Sequence, residues 1–303
     1  MLEKGYSKSF SLACVACAGC IGVIIPPSIP MVIYGVSTST SISAMFLAGF
    51  APGIIIGTVL CLVCYFYCKK QGWKGDDRKY TFKEKMKVVW DSKFALIEPV
   101  IILGGIYGGI FTPTEAAAVA AVYALICGVF IFRELNFGNI YKTIAAACST
   151  NGTTMVIIGC ATAFTRVLTL QQIPAMITQA ILNFSTNEVV ILILINILLL
   201  IVGCFMDTTP AMMVLSPILL PVATSLGLSP IHFGIIMVVN LAIGFITPPL
   251  GINLFVAARI GDVKLEVVCQ GIIRFIIAMI VCLLAITFIP AISEFLPRLS
   301  GML

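Results

Sequence analysis

Ile21-Gly22-Val23-Ile24-Ile25-Pro26-Pro27 and Ile243-Gly244-Phe245-Ile246-Thr247-Pro248-Pro249 are two copies of one pattern, I-G-x-I-x-P-P. A shift of 222 residues carries the first onto the second and, without a gap, carries Gly5 onto Gly227, Ser7 onto Ser229 and Gly49 onto Gly271. The chain therefore reads as an internal repeat. Each copy places a proline pair inside an apolar segment. Proline lacks the N–H that helix propagation needs and disfavours helix at the residue before it, so each pair breaks its helix.

Composition fixes the medium. Of 303 residues, 60% are hydrophobic and only 10% charged, against about 25% charged in ordinary soluble domains. That balance excludes a disordered chain, a soluble two-domain enzyme and a nucleic-acid-binding domain. It calls for an all-α, polytopic helical membrane protein in a lipid bilayer, because a spanning helix needs only about 20 apolar residues. Apolar segments run at about 10–35, 43–68, 94–110, 115–132, 143–164, 174–184, 189–205, 211–226, 231–257 and 267–290. They lack the alternation of a membrane β-barrel.

Charge orients the repeats. No Asp, Glu, Lys, Arg or His occurs from Ser9 to Cys68, whereas Lys69–Lys93 carries nine of the eighteen basic residues. By the positive-inside rule this loop is cytoplasmic. The second repeat ends at Pro290–Leu303 with Arg298 as its one basic residue, which places that end on the opposite side. Equivalent points on opposite faces define an inverted-topology repeat, the construction common in secondary transporters. The division is 1–68 as the end of the first repeat, 69–93 as a basic linker with an amphipathic helix near Phe82–Val89, and 94–303 as the second repeat. The first repeat is incomplete: on the inverted-repeat scheme roughly 100–130 residues would precede Met1. The polar stretch after Met1 is not a cleavable signal peptide.

Within lipid a broken helix is tolerated only where it is buried or lines a cavity, so paired breaks in inverted repeats point to a midplane site. Unwound carbonyls near Gly22–Pro26 and Gly244–Pro248 can coordinate a cation such as sodium, and Ser28, Thr247 and Asn253 add side-chain oxygens. The plain alternative is a pair of structural kinks. A third interruption, Gly203-Cys204-Phe205-Met206-Asp207-Thr208-Thr209-Pro210, holds the one acid between Glu188 and Asp262. Its flanking apolar arms are short, so residues 189–228 are expected to form a re-entrant hairpin with Asp207–Pro210 at the tip, beside the break at Thr247–Pro249. Thr209 is the expected N-cap with Pro210 at the first helical position. A surface turn is the alternative for Asp-Thr-Thr-Pro.

The remaining residues read blandly. Cys14-x2-Cys17-x2-Cys20 lies in an apolar helix and aligns with Ile236, Val239 and Ala242, so these are packing positions and not metal ligands; Cys61 and Cys64 read the same way. Thr112-Pro113-Thr114-Glu115 is a capping box. Arg166 reads as a helix-end side chain and His232 as packing or interface. Gly104-Gly105 and Gly108-Gly109 favour close helix contact. There is no P-loop and no H-E-x-x-H, and a lone histidine leaves no Ser/His/Asp set, so no enzyme is read here.

Gly5-Tyr6 through Gly22 to Pro30, Phe111-Thr112-Pro113-Thr114-Glu115-Ala116-Ala117, Gly203 to Pro210, and Gly244 to Asn253 together resemble the large membrane subunit of TRAP (tripartite ATP-independent periplasmic) transporters. The resemblance covers nearly the whole chain. It implies a sodium-coupled importer of the bacterial inner membrane, of elevator type, with no cofactor beyond the coupling ion. It implies two protein partners, a small membrane subunit and a periplasmic binding protein that delivers an organic anion such as a C4-dicarboxylate. The ion and substrate region it implies falls on Pro26, Pro27 and Ser28, on Asp207, Thr208 and Thr209, and on Thr247, Pro248, Pro249 and Gly251. The family's first hairpin is absent, which leaves a non-transporting scaffold or fragment as the alternative reading.

Overall fold

The structure is a computed structural model that describes residues 1–73, 81–184 and 187–303. Part of the expected basic loop, residues 74–80, lies outside the described residues. Among the described residues the regular structure is helical throughout. Seven helical segments among the described residues are long and apolar enough to cross a membrane. The chain is an all-α polytopic membrane protein.

In chain order the α-helices are α1 (Lys8–Ile24), α2 (Ile29–Thr38), α3 (Ile42–Gln71), α4 (Phe82–Asp91), α5 (Lys93–Tyr107), α6 (Pro113–Ile126), α7 (Phe137–Leu170), α8 (Ile173–Phe184), α9 (Glu188–Phe205), α10 (Thr208–Ser225), α11 (Pro230–Gly244), α12 (Ile252–Ile260), α13 (Leu265–Phe288) and α14 (Ala291–Leu299). A π-helical segment, Cys127–Ile131, extends α6. Two compact units form: residues 1–75 with 161–303, and residues 76–160.

The larger unit follows the repeat. The 222-residue offset that relates the sequences also relates the helices: α1 begins at Lys8 and α11 at Pro230, α2 ends at Thr38 and α12 at Ile260. Gly5 and Gly227 both turn the chain with positive φ, 80° and 82°, a conformation that glycine adopts without a Cβ penalty. Ser7 then caps α1 by accepting from the Phe10 amide at 3.3 Å, and Ser229 caps α11 by accepting from the His232 amide at 3.2 Å. The parts interlock: α1 packs along α13, α9 along α11, α10 along α2, and α14 along α3. Every residue of α11 from Ile231 to Gly244 is buried, as expected of a helix that is apolar on all faces.

The smaller unit is built on α5 and α6. Thr112 caps α6: its Oγ1 accepts from the Glu115 amide at 3.3 Å, and Glu115 Oε2 accepts from the Thr112 amide at 2.8 Å. The Tyr123 hydroxyl donates to the Phe94 carbonyl at 2.9 Å, tying α6 to α5. The glycine pairs differ from expectation. Gly104 has nothing within 4 Å of a built Cβ, Gly105 lies against the Phe111 ring, and Gly109 turns the chain at φ 67°. They end α5 and admit the next turn rather than seat a second helix. Helix α4 presents Phe82, Met86 and Trp90 as exposed apolar groups beside its lysines. All twelve cysteines are free thiols. Cys17 and Cys20 are buried packing groups, and Cys14 Sγ lies 3.7 Å from Cys64 Sγ across the α1–α3 seam.

Candidate ion and substrate site

At the first break α1 stops at Ile24 and α2 starts at Ile29. A continuous helix would bond the Gly22 and Val23 carbonyls to the amides of residues 26 and 27, and prolines have none. The Ser28 hydroxyl takes one of these places, donating to the Val23 carbonyl at 2.5 Å. Ser28 is buried. It was expected as a cation ligand; the structure gives it a first duty as the cap of the broken strand of carbonyls. The Ile24 carbonyl lies where a Cβ on Gly49 would be 2.7 Å away, so this glycine admits the end of α1 onto α3.

At the second break α11 tightens before it stops. Phe245, Ile246 and Thr247 amides donate to the Ala242, Ile243 and Gly244 carbonyls at 3.2, 3.1 and 3.1 Å. The Phe245 carbonyl, orphaned by Pro249, accepts from the Asn253 amide at 3.0 Å across the break. Val23 and Phe245 are equivalent under the 222-residue shift, and each carbonyl is closed from beyond its proline pair, one by a hydroxyl and the other by an amide. Both Pro–Pro bonds are cis. The expected set of open carbonyls is thus smaller than the sequence suggested. Each bonded carbonyl keeps a second lone pair.

The other predicted residues are placed as follows. Thr247 Oγ1 donates to the Ile243 carbonyl at 2.8 Å. Gly251 is buried at φ 25°, and its Cβ position is 3.1 Å from the Thr247 carbonyl. Pro248 and Pro249 are exposed at the break, as are Gly22 and Pro27 at the other, while Pro26 is buried. Asn253 Nδ2 donates to the Ala16 carbonyl at 3.1 Å and packs on Gly19. It ties α12 to α1, joining the two broken helices.

The third interruption brings Gly203 to the end of α11, next to the second break. Helices α9 and α10 are separated only by Met206 and Asp207. Gly203 lies against Gly244, with the Gly244 and Leu241 Cα atoms each 3.3 Å from a Cβ built on Gly203. The N-cap is Asp207 and not Thr209: its carboxylate accepts from the Thr208 amide at 2.8 Å, in extended backbone with ψ 154°. Pro210 falls in the first turn, where its missing N–H costs nothing because those amides have no intrahelical partner. Counting Thr208–Pro210 as tip had shortened α10. Both arms run 18 residues, roughly 27 Å, and each satisfies the length for a span. Asp207 is exposed at the tip, Thr208 is buried and Thr209 half-buried. Arg166 is exposed on α7.

Two asparagines in apolar helices, which sequence reading passed over, hold this assembly. Asn240 Nδ2 on α11 donates to Asn196 Oδ1 on α9 at 2.7 Å, and the Thr287 hydroxyl on α13 reaches the same oxygen at 3.4 Å. An amide inside a run such as Ile191–Leu200 was the available signal, since a buried polar group needs a partner.

Comparison with known proteins places the chain in one family. Residues 1–292 match the family described as "Tripartite ATP-independent periplasmic transporter, DctM component". The isethionate TRAP transporter permease protein DctMQ of Oleidesulfovibrio alaskensis is 50% identical over 97% of this chain and 46% of its own length. The C4-dicarboxylate large permease DctM of Pseudomonas aeruginosa is 39% identical over 100% of this chain and 70% of its own. The sialic acid large permease SiaM of Vibrio cholerae is 36% identical over 99% and 70%. The chain thus spans about half of the first relative and about 70% of the two large permeases. These relatives are permeases and not enzymes. The chain belongs to the DctM component family of tripartite ATP-independent periplasmic transporters.

Proposed function

We propose that this chain acts as the large permease subunit of a sodium-coupled TRAP secondary transporter in the bacterial inner membrane. It imports an organic anion handed over by a periplasmic binding protein and works with a small membrane subunit. The observation that carries the reading is the contact between the last turn of α9, just before the α9–α10 turn, and the end of α11, just before the second break, through Gly203 on Gly244. A helix turn against an unwound segment is the arrangement secondary transporters use for coupled ion and substrate sites. The oxygens at the breaks suit a hard cation: second lone pairs of the Val23 and Phe245 carbonyls, and the Ser28 and Thr247 hydroxyls. The first turn of α10, with Thr208 and Thr209, offers the positive end of a helix to an anion. Isethionate, C4-dicarboxylates and sialic acid, named for the relatives, are all organic anions and supply the first substrate panel. In the proposed mechanism the repeats are inverted, with an elevator-type movement of the broken helices.

The test is uptake into proteoliposomes that hold the permease with its small subunit, with the binding protein and a labelled anion outside. Uptake that requires an inward sodium gradient supports the proposal. Uptake indifferent to sodium removes the coupling, and binding of none of the three anions removes the substrate class.

A further inference from the structure

The base of the α9–α10 pair, at the far end from its turn, holds a second polar centre. His232, the protein's one histidine, is fully buried in the first turn of α11. Its Nε2 lies 3.3 Å from the Thr287 carbonyl and its Nδ1 2.7 Å from Ser293 Oγ. A carbonyl only accepts, so Nε2 carries the hydrogen. That leaves Nδ1 as the one ring atom able to take another proton. The Ser293 hydroxyl has two acceptors within reach, His232 Nδ1 and the Pro290 carbonyl at 3.1 Å.

Beside it is a buried carboxylate. Glu294 is 5% exposed. It accepts from the Ser229 hydroxyl at 2.5 Å and from Arg298 Nη2 at 2.6 Å. Ser229 is also the cap of α11. A cavity of about 530 Å³ lies beside this centre, lined among others by His232, Ser229, Thr287, Glu294, Arg298 and Glu188. The ionisable groups that line it are Glu188 from α9 and Glu294 and Arg298 from α14; α10 and α13 line it without one. From α2, the Tyr34 hydroxyl donates to the Pro230 carbonyl at 2.7 Å in the same turn as His232.

We propose that His232 is a proton-binding site, with Ser293 as its proton-dependent partner and Glu294 as the charge that receives the imidazolium. In the neutral state the Ser293 hydroxyl donates to Nδ1. When a proton reaches Nδ1, the new N–H donates to Ser293 Oγ, and the Ser293 hydrogen turns to the Pro290 carbonyl. One proton enters, no hydrogen-bonding group is orphaned, and the positive charge is set near a carboxylate already held by Arg298. The site lies apart from the helix breaks, so it links proton concentration to the α11–α14 contact independently of the sodium proposal.

The experiment needs no substitution at the histidine. With ring-¹⁵N histidine in the full chain in lipid nanodiscs, the spectrum carries one imidazole. The expected result is a Nε2–H tautomer at pH 9 that converts to the doubly protonated ring in a single step as pH falls. Ser293→Ala should shift the Nδ1 signal of the neutral ring by removing the hydrogen bond it accepts, with Nε2–H still held by the Thr287 carbonyl, and Glu294→Gln should move the midpoint to lower pH. An imidazole that keeps one protonation state from pH 5 to pH 9 overturns the proposal. So does a titration that neither substitution alters in protein of unchanged size-exclusion profile.

Discussion

Gly203 on α9 and Gly244 on α11 meet backbone to backbone: a Cβ built on Gly244 would overlap the Gly203 carbonyl group. No side chain stands between them that could give way. The turn between α9 and α10 is set beside the second proline break by this contact, so the geometry of the candidate site depends on two hydrogens in place of side chains.

Gly244→Ala should therefore be the more damaging substitution of the two. Overpacking of this kind costs about 1–3 kcal/mol, and here the obstacle is backbone. Gly203→Ala meets its nearest atoms at 3.3 Å and should be milder. Thermal unfolding in detergent should show a larger fall in Tm for Gly244→Ala, and equal falls would mean the contact is not tight.

Ser28→Ala removes the donor that closes the Val23 carbonyl at the first break. Loss of a hydrogen bond at a buried group costs about 1 kcal/mol, and more where the acceptor is left dry. Ser28→Thr, which keeps the hydroxyl, should recover most of the loss. A chain whose melting is the same with alanine and with threonine would show that the cap is idle.

Glu294 gives the base of the hairpin an acid limit. Burial alone would raise its carboxyl, but hydrogen bonds from Ser229 and Arg298 and the Arg298 charge outweigh that and hold it below the usual carboxylate range. A carboxylate held lower in the folded than in the unfolded state adds stability above the unfolded value and loses it as pH falls through the folded value. Melting temperature should hold through neutral pH and drop below about pH 4.5, and Glu294→Gln should flatten that drop. Since Arg298 is two-thirds exposed, high salt should weaken the effect.

Replacing Pro248 and Pro249 together by alanine restores two backbone donors, for the Gly244 and Phe245 carbonyls. Helix should then continue through Thr247 and turn those oxygens away from a cation. The sodium dependence of uptake by the complete permease should be lost while membrane insertion survives. Wild-type sodium dependence in the double variant would make the prolines kinks only.

Reporter fusions at Gly75 and Gly301 should report opposite sides of the membrane, the first cytoplasmic. The basis is the concentration of basic residues in Lys69–Lys93. The same side for both would end the inverted-repeat reading.

What the sequence determined by itself was local in origin. Apolar runs set the helices and the membrane, Ser7, Ser229 and Thr112 set where helices begin, and missing proline amides set where two of them break. These effects act within about one helical turn, so neighbouring residues suffice to read them. The Thr209 cap failed on the same scale, because Asp207 and Thr209 are both good caps and Pro210 is acceptable at either resulting position. Tertiary structure decided the rest. Asn253 bonds to Ala16 over a separation of 237 residues, and His232 meets Ser293 over 61. A carbonyl or hydroxyl accepts many partners, and which one it receives depends on which helices lie side by side. That is settled by the close approach of small residues such as Gly203 and Gly244 and by the need of each buried polar group for a partner. No residue type announces either in advance.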